Sequence, residues 1–247
     1  MASANEGLSL LSAYDRKARF APATLGVAPI VVSVATLGLK NYPAVTAIMS
    51  FLALGGGAYV LAAIVASFGQ SAEPELLTAW GGWPTTQLLR LRDGSDNPIQ
   101  RELWRTAIQT VTGLSLFDAS EEAQDPAGAD NAIGAAVGLV LYLGHEGGVP
   151  IVAAHNAGYG FQRNVYGFRR IGRAIAAACL VVLGVGLFFP QAFSRGASVV
   201  GLVLVGLFLL IWTWMPSGER TRQAGYKYAN QLLNAVARQA QRSGAAT

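Results

Sequence analysis

Gly196–Met215 reads GASVVGLVLVGLFLLIWTWM, twenty residues without a single Asp, Glu, Lys, Arg or His. Such a run decides the fold. About 20 apolar residues in an α-helix are needed to cross the roughly 30 Å hydrocarbon core of a bilayer. Three more stretches lack charge and histidine in the same way: Ala21–Leu39, Ala44–Phe68 and Ala174–Phe189. The last is 16 residues long, and its apolar character continues past Pro190 to Phe193. Four such runs in 247 residues point to four membrane spans rather than to core helices of a water-soluble domain.

Composition agrees. Charged residues make up 13% of the chain and hydrophobic residues 52%, against about 25% charged in an average soluble domain. The first 20 residues hold Glu6, Asp15, Arg16, Lys17 and Arg19 without a long apolar core, so no cleavable signal peptide is expected. The lone cysteine, Cys179, lies in the third apolar run. It excludes an intrachain disulfide and a cysteine metal cluster, and is expected to face lipid or another helix.

Charge sets the orientation. With both termini inside, 16 of the 18 Lys and Arg residues fall on the cytoplasmic side, and only Lys40 and Arg195 fall outside. Positive charge close to span ends favours the cytoplasm. Arg16, Lys17, Arg19, Arg169, Arg170, Arg173, Arg220 and Arg222 all stand there. The expected protein is therefore an all-α, multi-pass membrane protein with both termini cytoplasmic. It has four transmembrane helices in two hairpins, a small helical cytoplasmic insert and a C-terminal cytoplasmic helix. Its segments are residues 1–20 (cytoplasmic entry), 21–68 (first hairpin), 69–173 (insert), 174–215 (second hairpin) and 216–247 (tail).

Within the entry, Leu8, Leu10, Leu11 and Tyr14 have helical spacing ahead of a basic cluster, as in an interfacial helix. The turn Lys40-Asn41-Tyr42-Pro43 closes the first hairpin, and Pro29 stands inside the first span, where it can bend the helix. Ala53 and Gly55-Gly56-Gly57 offer small residues for close helix approach. In the insert, Glu73-Pro74-Glu75 reads as a helix start and Trp80-Gly81-Gly82-Trp83-Pro84 as a break. Asn97-Pro98 predicts a helix to about Val111 ending at Gly113, with an apolar stripe of Ile99, Leu103, Ala107, Ile108 and Val111. Asp125-Pro126 predicts another, with Ile133, Val137, Val140 and Leu141 as its stripe. Glu121, Glu122 and Asp125 read as a solvated acidic helix start. From Ile151 a helix is expected to run into the third span, and Ser217 caps a basic C-terminal helix over Gly218–Arg242.

Catalytic signatures are sparse. His145 and His155 are ten residues apart beside a Gly-rich loop, which is not metal-ligand spacing. The chain has neither a phosphate-loop lysine motif nor a dinucleotide glycine fingerprint, so neither an enzyme nor a bound cofactor is expected. The spans hold no acid or base to relay protons, which argues against a proton-coupled transporter.

The basic residues are more informative. Arg163, Arg169, Arg170 and Arg173 precede the third span, and Arg222 and Lys227 follow the fourth. Guanidinium groups bind phosphate bidentately, and Tyr159 and Tyr166 could stack bases. These eight residues form the candidate ligand site. The competing reading is an orientation signal that also contacts anionic headgroups.

Two stretches, Gly82-Trp83-Pro84-Thr85-Thr86-Gln87-Leu88-Leu89-Arg90 and Asn156-Ala157-Gly158-Tyr159-Gly160-Phe161-Gln162-Arg163-Asn164-Val165-Tyr166-Gly167, resemble a bacterial family. Together with the four-span layout, the chain is similar to the membrane effectors of anti-phage defence of the Hailong type, partnered with a nucleotidyltransferase. The resemblance implies a homo-tetrameric ion channel. It would lie in a bacterial inner membrane, be held closed by single-stranded DNA oligomers made by the partner, and open to depolarise that membrane. It supplies no residue-level ligand map. An uncharged lining would gate by dewetting a hydrophobic constriction. The rival expectation is a non-conducting scaffold that recruits a cytoplasmic protein.

Overall fold

The structure, a computed structural model, describes residues 13–39, 42–53, 56–94, 97–144, 150–189 and 194–244. Leu8, Leu10 and Leu11 of the expected entry helix, Lys40 and Asn41 of the expected turn, Gly55, His145 and Glu146 lie outside that set. The described residues form helices and connecting turns with no strand among them. The helices are α1 (Ala13–Thr36, with a π-helical turn at Arg16–Phe20), α2 (Pro43–Ala53), α3 (Gly56–Trp80), α4 (Pro84–Leu89) and α5 (Pro98–Thr112). After them come α6 (Ala119–Gln124), α7 (Pro126–Gly144), α8 (Pro150–Gly186), α9 (Arg195–Trp214) and α10 (Gly218–Gly244).

Among these, two helices are long and apolar enough to cross a membrane: α1, with mean hydropathy 1.5, and α9, with 2.3. Of the second expected span, residues 44–53 are in α2 and 56–68 in α3, and α3 runs on into Glu73 and Glu75. The third expected span belongs to α8, whose apolar part follows Arg169, Arg170 and Arg173 and ends at Gly186.

The chain divides into two compact units. The first comprises Met1–Pro74 and Ala157–Thr221, the second Glu75–Asn156 and Arg222–Thr247. Residues 157–173, which the sequence places with the insert, thus group with the apolar helices.

In the first unit α1 packs along α9. One core cluster joins Ala23, Ala62, Val65, Val165, Phe168 and Trp212, with the Phe168 ring 5.8 Å from both Phe68 and Trp212. Another joins Leu37, Ala176, Cys179, Leu183 and Val205, so Cys179 faces neighbouring helices. Glycines permit these contacts. A Cβ at Gly167 would lie 2.3 Å from the Phe68 carbonyl oxygen, and one at Gly172 would lie 2.4 Å from the Trp212 ring. Small residues at such crossings let backbones meet.

The second unit is built on Leu89, Trp104, Ala107, Ile108, Ile133, Ala136, Val137, Val140, Leu232, Leu233 and Val236. Its local signals are well formed. Asn97 Oδ1 accepts from Gln100 N–H at the start of α5, and Gly113 ends that helix at φ 70°. Asp118 and Glu121 form a reciprocal capping box on α6. Asp125 Oδ1 accepts from Gly128 N–H at the start of α7.

Four sequence expectations need correction. Glu73-Pro74-Glu75 does not begin a helix; Pro74 lies inside α3, where it removes one backbone donor. On α5, Ile99 and Leu103 are exposed at 84% and 45%, because Trp104 and Arg105 occupy the buried face instead. Leu141 of the α7 stripe is likewise exposed. Glu122 is wholly buried rather than solvated, for the reason given below.

Candidate functional site

The Tyr and Arg residues of α8 recur at Tyr159, Arg163, Tyr166, Arg170 and Arg173, spaced by four, three, four and three. At 3.6 residues per turn that spacing puts them on one face of the helix. The opposite face, with Val165, Phe168 and Ala176, is buried. The structure ties down part of the basic face.

Glu73 of α3 takes a hydrogen bond from the Tyr159 hydroxyl at 2.8 Å and an ion pair from Arg163 Nη1 at 3.0 Å, both on Oε1. Burial, with the Glu73 carboxylate beside it, pushes the Tyr159 hydroxyl well above the ordinary phenol range. Asn164, fully buried, faces Arg163 Nε and Nη2 at 3.4 Å and donates to the Ala18 carbonyl at 2.7 Å. Arg163 is thus compensated from within.

Arg173 Nε donates to the Trp212 carbonyl at 3.0 Å, and Arg220 Nη1 donates to the Trp214 carbonyl at 3.1 Å. Both cap the C-terminal end of α9, where carbonyls lack helical partners and the dipole favours cations. Arg169 lies 3.6 Å from the centroid of the Tyr166 ring and donates to the Tyr166 carbonyl. That stacking holds an arginine and an aromatic ring together. Arg170 is exposed and makes no ion pair among the described residues.

Arg222 and Lys227 belong to the second unit. The Arg222 guanidinium carbon lies 5.5 Å from the Tyr226 ring centroid, and Lys227 is exposed. The eight expected residues therefore fall six in one unit and two in the other.

Arg90, Arg92 and Arg105 of the second unit have a structural role. Arg90 grips Asp130 through Nε and Nη2 at 2.8 and 2.6 Å. Arg92 contacts both Asp130 oxygens at 2.8 and 2.9 Å and reaches Glu122 Oε1 at 3.0 Å. Glu122 also accepts from the Leu91 and Arg92 N–H groups, which explains its burial. Burial alone would raise the Asp130 carboxyl, but the hydrogen bonds from Arg90 and Arg92 outweigh it and hold the group below its usual range. The hydrogen bond to Asp130 in turn raises the Arg90 pKa. Buried Arg105 donates to the carbonyls of Leu89 and Phe117, and burial lowers its pKa. The GWPTTQLLR motif thus ends in a lock, with Arg90 also donating to Gly81 O at 2.9 Å.

Sequence reasoning missed Glu73 as the partner of Arg163. The available signal was an acid, Glu73, a few residues past the end of an apolar run that ends at Phe68. Among the described residues no group of three or more His, Cys, Asp or Glu side chains could hold a metal ion. No protein-family model, curated protein or solved structure matches the chain.

Proposed function

We propose that the chain is a four-span membrane protein whose copies enclose an ion pathway, with gating set by an anionic ligand at the basic face of α8. The ligand class is a single-stranded DNA oligomer, and the assembly is a homo-tetramer that opens to depolarise a bacterial inner membrane during phage defence. A nucleotidyltransferase supplies the oligomer.

One observation carries the membrane part. On α9 the side chains of Val199, Val200, Val203, Leu204, Leu207, Leu210, Ile211 and Trp214 are all exposed. At 100° per residue they cover an arc of about 140°. That much apolar surface needs lipid or neighbouring subunits around it. On α8, Val181, Val182, Val185, Phe188 and Phe189 flank or extend the helix in the same exposed way. The ligand part rests on Arg170, exposed beside the Arg169–Tyr166 stack. A phosphate could take the exposed Arg170 guanidinium while a base stacks on the Tyr166 ring.

The test is binding of fluorescent single-stranded DNA oligomers to purified protein in detergent. Arg170→Glu is expected to weaken binding at least tenfold, and Glu73→Gln, which uncovers Arg163, to strengthen it. Equal binding by wild type and both variants would remove the site.

A further inference from the structure

We infer that a cavity within the second unit is a binding site for an uncharged nucleobase or nucleoside. The site does not depend on the channel reading. The cavity has a volume of about 590 Å³, within the roughly 300–1,000 Å³ usual for small-molecule sites. Four carboxamides, Gln87, Asn97, Gln100 and Asn230, line it together with Trp104 and Tyr226. The one carboxylate in the lining, Asp93, is paired with Arg90 at 3.3 Å, and the lining contains no Lys or Arg. A phosphate would meet no cation there, so the ligand is neutral.

Part of this lining is a fixed frame. Gln87 Nε2 donates to the Trp80 and Gly82 carbonyls at 2.9 and 2.7 Å, and its Oε1 accepts a hydrogen bond from the Tyr226 hydroxyl. Trp104 Nε1 donates to Asn234 Oδ1 at 3.0 Å. Two amides remain available. Asn230 Oδ1 and Gln100 Oε1 accept no hydrogen bond from the described residues, and Gln100 Nε2 reaches Asn234 only at 3.4 Å. Each amide presents an acceptor beside a donor. The edge of a nucleobase carries the complementary pair, which is how Asn and Gln read bases elsewhere. The Tyr226 ring supplies an aromatic wall.

The experiment is isothermal titration calorimetry of the full chain in detergent with adenosine, guanosine, cytidine and thymidine, and with glucose and inorganic phosphate as controls. At least one nucleoside should bind once per chain, and the controls should not. Gln100→Ala and Asn230→Ala should each weaken binding about tenfold, the scale of one lost hydrogen bond. Gly94→Leu should weaken it at least tenfold: Gly94 lines the cavity and an added Cβ there meets nothing within 4 Å, so the larger side chain crowds the site without disturbing the fold. Arg170→Glu, in the other unit, should leave it unchanged. No heat from any nucleoside with folded protein, unchanged affinity in Gly94→Leu, or binding of glucose in place of nucleosides would overturn the assignment.

Discussion

The first unit closes its apolar clusters through glycines that let helices touch, whereas the second fastens its apolar core with buried charge. In the first, an added Cβ would lie 2.9 Å from Phe168 at Gly26, 2.3 Å from Phe68 at Gly167 and 2.4 Å from Trp212 at Gly172. In the second, Gly134 and Gly138 face open space. That unit instead aligns Trp104, Ile108, Ile133 and Leu233 in its core and locks its loops through Arg90, Arg92, Asp130 and Glu122. On the proposed placement of the first unit's helices in a membrane, the difference has a physical cause. Where lipid removes the hydrophobic drive between helices, close backbone packing has to supply cohesion. Where water is present, apolar burial supplies it and polar groups can fasten the loops.

Glycine substitutions should break this comparison most strongly. Gly167→Leu and Gly172→Leu force side chains into backbone and ring atoms, and overpacking of that kind costs about 3 kcal/mol or more. Both variants should elute as aggregate by size exclusion in detergent. Gly134→Ala and Gly138→Ala should instead stabilise the fold by up to about 1 kcal/mol each from helix propensity alone, read as a small rise in the thermal midpoint. Equal harm from both pairs would erase the distinction.

Removing a buried charge comes next. Glu122→Ala leaves the Leu91 and Arg92 N–H groups without their carboxylate, and breaking a buried pair costs about 3 kcal/mol. Circular dichroism melting should show the loss. A drop below about 1 kcal/mol would mean that the lock does little.

Acid should act through Asp130. Its folded pKa is below the ordinary carboxylate value. Its stabilising contribution is therefore complete above the unfolded value, about 3.9, and is lost as pH falls through the lowered folded value. Asp130→Asn should remove that part of the acid-dependent loss, read as a shallower fall in melting temperature below about pH 4. An unchanged slope would contradict the pairing.

The smallest effect is expected at Ile99, which is 84% exposed. Ile99→Ser should change stability by no more than about 0.5 kcal/mol.

Local signals explain what the sequence made legible. Asn97-Pro98 and Gly113 bound α5 because a side-chain cap and a positive φ are written in single residues. Gly81 and Gly82, at φ 81° and 118°, end α3 for the same reason. Which face of α5 is buried was not legible, because Arg105 counts as polar in a pattern yet satisfies two carbonyls in the interior. Pro74 misled because proline opens helices more often than it stands inside them. In the candidate site, the spacing of Tyr159, Arg163, Tyr166 and Arg170 is local and readable. The pairing of Arg163 with Glu73, 90 residues apart, needs the fold. So does the cavity, whose lining comes from α4, α5, α10 and the Asp93-Gly94 turn.

The central claim is conduction under control of an anionic ligand, and ion flux through liposomes containing the purified chain tests it most directly. The account predicts flux that single-stranded DNA oligomers suppress, with Arg170→Glu abolishing the suppression while flux persists. No flux under any condition, from protein shown to be folded and inserted, would contradict it and favour a scaffold that recruits another protein.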